Sequence, residues 1–325
     1  MRLFGGAIHP HVTYHSPMST SIAPARRPVT PERLGLAPLP VPATAKDPVA
    51  RHVRAALHAQ TLAMLHYEPG TRTGEDPEDL HQMRVSVRRL RAVLKSAPDS
   101  AKLRVELGWL GGALGPVRDL DVLIDRLRAE SDDFPDDERT VATTLLDGLV
   151  NERVSARARL TSALNSSRYR TLLGHLAQAA NSELDPTASE PELMDLVRAP
   201  YRKLRKAVRA LPADPPDEDL HRLRILGKRL RYAAELVRPI TGKQLKELVR
   251  ASKELQEVLG EHQDACVAEQ EVRRLVAAQG DVVDWDLVFV AGRLVEREHV
   301  RRVTTRDLWH AAWSAVDRQG RTVLR

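Results

Sequence analysis

The sequence contains little cysteine, few aromatic residues and no long apolar run. Cys266 is the only cysteine, which excludes an internal disulfide and a cysteine-based metal site, and we expect it to be a small buried core residue. No run approaches the length of about 18 apolar residues that predicts a membrane span. The N-terminus lacks the continuous apolar segment of a secretory signal. We therefore expect a cytoplasmic protein.

The sequence also lacks the motifs of common phosphoryl-transfer and metal-dependent enzymes. It has no G-x-x-x-x-G-K-[ST] motif, no H-E-x-x-H motif and no strand of alternating carboxylates that would hold Mg²⁺. His9, His11 and His15 lie close together in the sequence, but no other ligands accompany them, and we interpret them as part of a solvated tail. We predict a protein that is not an enzyme, with no catalytic residues, no cofactor and no bound metal.

What the sequence does contain is a helical pattern that occurs twice. Alanine, leucine, arginine and glutamate dominate, as in helical proteins. Four helical patterns recur at offsets of 140 to 146 residues, a length that suits a helical bundle better than a solenoid repeat. We predict an all-α protein made of two tandem four-helix-type bundles related by pseudo-two-fold symmetry. The predicted organisation is a disordered Pro-rich extension over 1–47, a first bundle over 48–182 and a second bundle over 190–318.

Proline and glycine predict several helix ends. Pro69-Gly70 is expected to end the first helix, and Gly115-Pro116 to interrupt or kink the third. Asp76 followed by Pro77 is expected to cap the start of the second helix.

The second helix has a stripe of positive charge on one face. At about 100° per residue, one side of this helix collects a histidine and four cations, next to a separate apolar stripe. Like charges at these spacings repel, so the stripe does not serve helix stability. The same stripe returns 140 residues later. The residues of the two stripes are His81, Arg84, Arg88, Arg91 and Lys95, and His221, Arg224, Lys228 and Arg231.

The two stripes suggest a binding site for a long anion. If the two halves pack face to face, both stripes line one groove, and its guanidinium groups favour the entry of an anion. Positions i, i+3, i+7, i+10 and i+14 place cations along roughly 20 Å of helix. A single small anion cannot occupy that line, whereas a linear polyanion can.

These two segments resemble the signature helices of the CHAD family, the conserved histidine α-helical domain. The resemblance rests on 81–91 and 221–232, together with the segment 114–122, and covers about residues 48–318. It implies two four-helix bundles around a basic groove that binds inorganic polyphosphate, and it leaves open an association with polyphosphate granules. The residues of both stripes would then contact the ligand.

The resemblance also directs attention to cations beside the stripes. Arg89 and Arg229 lie off the centre of the stripes, and Arg54 and Arg198 occupy matching places on the first helix of each half. Arg118 either joins the site or forms a structural pair with the neighbouring Asp119. In the second half, Glu235 replaces Lys95 and is expected to end the binding track.

Other partners for the basic surface remain open. Nucleic acid pairs with arginine by the same physics, but the stripes lack interleaved aromatic residues for base stacking and asparagine or glutamine for base readout. Recruitment of acidic proteins is a third alternative. We expect no membrane partner, and the sequence does not predict the oligomeric state.

Overall fold

The all-α prediction is confirmed by the structure. It is a computed structural model that describes residues 29–39, 43–44, 47–96, 100–182, 193–241, 243–280 and 284–324. These residues form nine α-helices and no strand. In chain order the helices are α1 (Val49–Thr73), α2 (Pro77–Val93), α3 (Ala101–Ser131), α4 (Asp136–Asn165), α5 (Ser167–Asn181), α6 (Asp195–Arg209), α7 (Asp217–Thr241), α8 (Lys246–Ala277) and α9 (Trp285–Val323).

The predicted pair of bundles is also present, and each has its own apolar core. The first core joins α1, α2 and α5 to the start of α3 and the end of α4, with Leu57, Leu90 and Leu107 fully buried. The second joins α6 and α7 to the start of α8 and the end of α9, around Leu230 and Leu255. In both halves the buried leucines follow the helical period, so each helix presents one apolar stripe to its bundle.

A third core, which the sequence analysis did not predict, connects the two halves. The end of α3 and the start of α4 pack against the end of α8 and the start of α9, and this middle core includes Leu127, Leu145, Val272 and Leu294. Because its helices come from both halves, neither half buries all of its apolar surface alone.

A buried ion cluster reinforces this connection. Glu298 of α9 is fully buried, and Arg126 of α3 donates to both of its carboxylate oxygens, from Nε at 2.8 Å and from Nη2 at 2.6 Å. Arg126 also lies 2.9 Å from Glu261 of α8. These carboxylates raise the pKa of Arg126, although burial alone would lower it.

One of the predicted helix ends was wrong, because tertiary contacts outweigh the local signal. α1 continues through Pro69 to Thr73 and ends at Gly74, whose φ of 72° is the left-handed conformation that glycine favours. The last turns are held by Glu68, which is fully buried and accepts from Arg72 Nε at 2.7 Å and from the Tyr169 hydroxyl at 3.0 Å. α3 is one helix through Gly115 and Pro116, so of the two alternatives predicted there the interruption is wrong.

The predicted cap of α2 is present, since the Asp76 side chain accepts from the Glu78 backbone N–H. Part of the predicted disordered extension is ordered, however. Residues 29–39 lie against the first bundle, with the side chain of Leu36 in its core and the Gly35 carbonyl bonded to Asn181. Burial of this apolar surface offsets the entropy lost on ordering. Residues 1–28, with the three histidines discussed above, are outside the described part of the chain.

Two expectations from the sparse residue types can be compared with the structure. Cys266 is buried, as predicted. Among the helices of the described residues, none has the length and apolarity to cross a bilayer.

Candidate functional site

The basic helices α2 and α7 contact each other where the two halves meet. Arg89 of α2 forms an ion pair with Glu235 of α7, with Nη2 3.5 Å from Oε2. The charged stripes of both helices are therefore parts of one surface region. We call the following set the basic cluster: His81, Arg84, Arg88, Arg91 and Lys95 of α2, and His221, Arg224, Lys228 and Arg231 of α7.

Lys228 shows most clearly that the two stripes act on each other. Burial lowers the pKa of its ammonium group to about 8, and the charges of Arg224, Arg88 and Arg84 add to this effect, while Asp264 opposes it. Arg88 and Arg84 belong to the other half of the chain. A lysine with a pKa this low is partly buried among positive charges that the nearby carboxylate does not fully neutralise.

Arg88 of α2 lies in the same surroundings as Lys228 of α7 and is affected in the same way. Burial lowers the pKa of its guanidinium, Tyr232 opposes this, and Arg84, Arg231 and Arg224 lower it further. The Nε atoms of Arg88, Arg224 and Arg231 are buried and find no hydrogen-bond partner within the described residues. Buried donors of this kind favour an acceptor that enters from outside the chain.

Carboxylates from the neighbouring helices hold two of the arginines. Arg84 Nη1 donates to Asp119 Oδ1 at 2.6 Å and to the Gly115 carbonyl at 3.2 Å, both on α3. In the second half, Arg224 pairs with Asp264 of α8 at 3.5 Å. The arrangement thus repeats with the internal symmetry. Burial raises the pKa of Asp264, and Arg224 and Arg126 counteract that rise.

Both guanidinium groups pack against a glycine of the adjacent helix. A Cβ atom on Gly115 would lie 4.0 Å from Arg84 Nη2, and one on Gly260 would lie 3.7 Å from Arg224 Nε. Each guanidinium therefore lies directly over the glycine of the adjacent helix. A long side chain at either position would displace the arginine from this surface.

The two histidines have different partners. Burial lowers the pKa of His81, and the nearby Arg118 lowers it further, with Glu78 in partial opposition. His221 Nδ1 lies 2.7 Å from Gln263 Oε1, a contact that requires the proton on Nδ1. Gln263 is the counterpart of Arg118 in the second half. Asp119 pairs with Arg84, and the charge of Arg118 acts on the pKa of both His81 and Asp121.

Lys95 lies in a second group of cations at one end of the basic cluster. Burial lowers its pKa, followed by the charges of Arg229, Arg91, Arg104 and Lys203. Arg104 and Lys203 were not predicted from the sequence, because they lie on α3 and α6 and have no basic counterpart in the other half. The hydroxyl of Tyr232 on α7 is also buried beside Arg88 and has no hydrogen-bond partner among the described residues.

Two of the predicted contact residues lie in other surroundings. Arg54 donates from Nε to the Ala180 carbonyl at 3.0 Å, so it binds the end of α5. Arg198 donates to Asp195 Oδ1 at 3.0 Å, within the first turn of α6. Their matching positions reflect the repeat, and these hydrogen bonds join them to other parts of the chain than the basic cluster.

One group of side chains has atoms close enough to hold a metal ion. Asp217, His262 and Cys266 place potential ligand atoms within 4.8 Å of one another. However, both oxygens of Asp217 already accept from guanidinium groups, Oδ1 from Arg306 at 2.6 Å and Oδ2 from Arg302 at 3.0 Å. Burial raises the pKa of the Cys266 thiol to about 12, which disfavours the thiolate that a metal needs. We interpret this group as an anchor between the start of α7 and α9.

Comparison with known proteins agrees with this architecture. The family model described as CHAD domain matches residues 55–273. The chain belongs to the CHAD domain family. Two curated relatives from Mycobacterium tuberculosis, the uncharacterized proteins MT2285 and Rv2226, are each 30% identical to it over 295 residues, or 84% of this chain. The chain spans about half of their length, 54%.

Solved structures show the same CHAD fold. The CHAD domain from the plant Ricinus communis is 28% identical, with a TM-score of 0.66, and the match covers 84% of this chain and 94% of the plant domain. PptA from Streptomyces chartreusis matches with the same TM-score at 24% identity, over 82% of this chain and 100% of PptA. The resemblance stated from the two signature helices is thereby confirmed at the level of family and fold.

Proposed function

We propose that this CHAD protein binds inorganic polyphosphate in a basic groove between α2 and α7. The observation that carries the proposal is a set of cations from both halves on one partly buried surface, where burial, and after it the charges of neighbouring arginines, lower the pKa of Lys228 and of Arg88. Bound phosphate groups would relieve this repulsion and accept hydrogen bonds from the buried Nε atoms. An anion is therefore expected to bind more tightly at the basic cluster than at an ordinary basic surface.

The length of the basic cluster supports a chain of phosphates over a single phosphate. From His81 to Lys95 the helix rises by roughly 20 Å, because each residue adds about 1.5 Å. Five positions along this line carry a histidine or a cation, so a ligand that satisfies them must itself carry charge at regular intervals. Arginine suits such a ligand because its planar group binds phosphate oxygens in pairs.

We propose that the site binds its ligand without chemical change. Three carboxylates at the basic cluster are paired with arginines, Asp119 with Arg84, Asp264 with Arg224 and Glu235 with Arg231, so their contacts fit a role in orienting guanidinium groups. Incubation of the protein with polyphosphate and Mg²⁺ tests this directly. Release of orthophosphate above the rate without protein would contradict the proposal.

The binding test compares two double variants across a salt series. Arg88→Ala with Lys228→Ala is expected to weaken polyphosphate binding and to make its dependence on salt shallower by roughly 1 to 2 in the double-logarithmic slope, by analogy with nucleic acids. The matched control is Arg250→Ala with Lys253→Ala, which removes the same charges from exposed positions of α8. If both variants lose the same affinity, the site is elsewhere.

Competition separates polyphosphate from nucleic acid as the ligand. A duplex is far wider than a bare phosphate chain, so a groove between two contacting helices would admit only the latter. We expect duplex DNA and RNA to leave long-chain polyphosphate bound at equal phosphate concentration. Displacement by either nucleic acid would overturn the polyphosphate assignment and support the nucleic-acid alternative.

A further inference from the structure

One face of α9 carries large apolar side chains that no part of the described chain covers. Trp285 and Phe289 are 76% and 61% exposed, and Val300 and Val303 are about half exposed. At about 100° per residue, these four positions lie within roughly 60° of one another on the helix. We call them the outer α9 stripe. Leu294, on the opposite face, belongs to the middle core, so the stripe points away from the protein.

The fold itself does not require this stripe. The offset of 146 residues that relates α4 to α9 places polar residues at three of its four positions in the first half: Arg139, Thr143 and Arg157. Only Val300 keeps an apolar counterpart, Val154. The first half therefore builds the same bundle with a polar outer face, and packing within the chain does not account for the stripe. An exposed apolar patch of this kind indicates an interaction surface.

The outer α9 stripe is symmetric about its own middle. Trp285 and Val303 lie nine residues before and after Leu294. Phe289 lies five residues before it, and Val300 lies six residues after it. A second α9 that runs antiparallel therefore places Trp285 of one copy over Val303 of the other. Phe289 then lies over Val300 in the same way, and the stripe is complementary to itself.

The centre of this face also suits a second, antiparallel α9. A Cβ atom on Gly292 would meet no atom of the described residues within 4 Å, so another helix can approach its backbone closely. Glu296 of one copy would lie over Gly292 and beside Arg293 of the other. Arg293 pairs with Glu138 and is one-third exposed, so it can accept a second carboxylate. A parallel pair would instead bring the two Glu296 carboxylates together.

The area of the stripe is comparable to the apolar centre of a dimer interface. An aromatic side chain has about 150–250 Å² to bury, so the exposed parts of Trp285 and Phe289 together offer roughly 300 Å². A standard interface takes about 800 Å² from each partner. The stripe supplies the apolar centre of such an interface, and the polar residues beside it supply the rim.

We propose that two copies of this chain associate through the outer α9 stripe, with their α9 helices antiparallel about a two-fold axis at the level of Leu294. The contact buries both aromatic side chains of each copy, and this burial stabilises the pair. The basic cluster lies on α2 and α7, so the proposal does not depend on the polyphosphate function and is tested without that ligand.

The mass in solution tests the association. We expect sedimentation equilibrium of the wild-type chain to give about twice its mass of 36.3 kDa. Phe289→Arg should shift the mass to that of one chain, because it places a charge in the apolar contact. The matched control is Thr143→Arg, which makes the same residue at the equivalent exposed position of α4 and should remain dimeric. Thermal unfolding verifies that both variants are folded.

Cysteine cross-linking tests the antiparallel orientation. A Trp285→Cys chain and a Val303→Cys chain are oxidised separately and as a mixture. We expect a disulfide-linked dimer only in the mixture, because like positions lie roughly 27 Å apart along an antiparallel pair. The buried Cys266 is present in every sample, and oxidised wild type measures its contribution.

Three results would overturn the proposal. A wild-type chain that stays monomeric at its highest soluble concentration shows that the stripe does not bind a second copy and leaves it for a different partner. A dimer that Phe289→Arg disrupts no more than Thr143→Arg has its interface elsewhere. Cross-links in the separate samples, or none in the mixture above the wild-type level, contradict the antiparallel contact.

Discussion

Lys228 makes the affinity for polyphosphate depend on pH above neutrality. In the empty protein its pKa is about 8, because of burial and the charges of three arginines, against an ordinary value of 10.5. Bound phosphate supplies the missing opposite charge and raises that pKa again. Binding therefore takes up a proton when the pH is above about 8. Affinity is highest below this value and falls as the pH rises toward 10.5.

The size of the effect follows from the fraction of Lys228 that is charged. At pH 7 most of the empty protein carries the ammonium form, whereas at pH 9 about nine-tenths of it is neutral. Recharging the amine then costs about 1.4 kcal/mol, which corresponds to about a tenfold increase in Kd between pH 7 and pH 9. Free histidine titrates near pH 6.5, so most of this change falls above the histidine range.

Lys228→Arg isolates this contribution, because arginine stays charged throughout the range. We expect the variant to bind polyphosphate at pH 7 and to lose most of the decrease in affinity between pH 7 and pH 9. Titrations with polyphosphate at pH 7 and at pH 9, at fixed ionic strength, measure the two affinities. Lys253→Arg, on the exposed face of α8, should keep the wild-type profile. If Lys228→Arg still loses affinity tenfold between these pH values, Lys228 is not the responsible group.

Two further predictions concern other parts of the molecule. Wild type is expected to bind polyphosphate more tightly as pH falls from about 8 to 6, since bound phosphate raises the lowered pKa of His81. Lys228 alone accounts for about a twofold change over this range, so a wild-type change no larger than that, or one of the same size in His81→Ala with His221→Ala, would refute a role for histidine. Glu298→Ala leaves Arg126 buried without its main partner. Denaturant unfolding should therefore show a free energy of unfolding lower by about 3–5 kcal/mol. The control Glu257→Ala, at an exposed site, should change the free energy of unfolding little.

The helical period and the repeat were sufficient to predict the fold class and both basic stripes. Period identifies which face of a helix is apolar, but it does not identify the partner that covers that face. For this reason the middle core was not predicted. The helical period marks Leu127 and Leu145 as apolar core positions, but it does not show that they pack against the second half. Their contacts with Val272 and Leu294 come from chain segments more than a hundred residues away.

The site could be predicted only where its residues share one helix. Asp119 lies 35 positions after Arg84, too far for a search for neutralising acids at i+3 or i+4. The signal was nonetheless available, because Asp119 and Asp264 repeat with the glycines that precede them. For Arg54 the repeat did not indicate the contact that the structure shows, a hydrogen bond to the Ala180 carbonyl of a distant helix. Arg104 and Lys203 break the repeat, and no sequence pattern links them to Lys95.

The middle core gives the molecule the character of a dimer within one chain. Leu127 and Val272 are counterparts at an offset of 145 residues, and Leu145 and Ala291 at 146, and all four lie in this core. Each half thus contributes the same patch, as in an isologous contact between identical subunits. Because both halves belong to one chain, they are always present in equal number. They are also free to differ in sequence, so that the first half has Lys95 where the second has Glu235, an inequality that a symmetric homodimer cannot have.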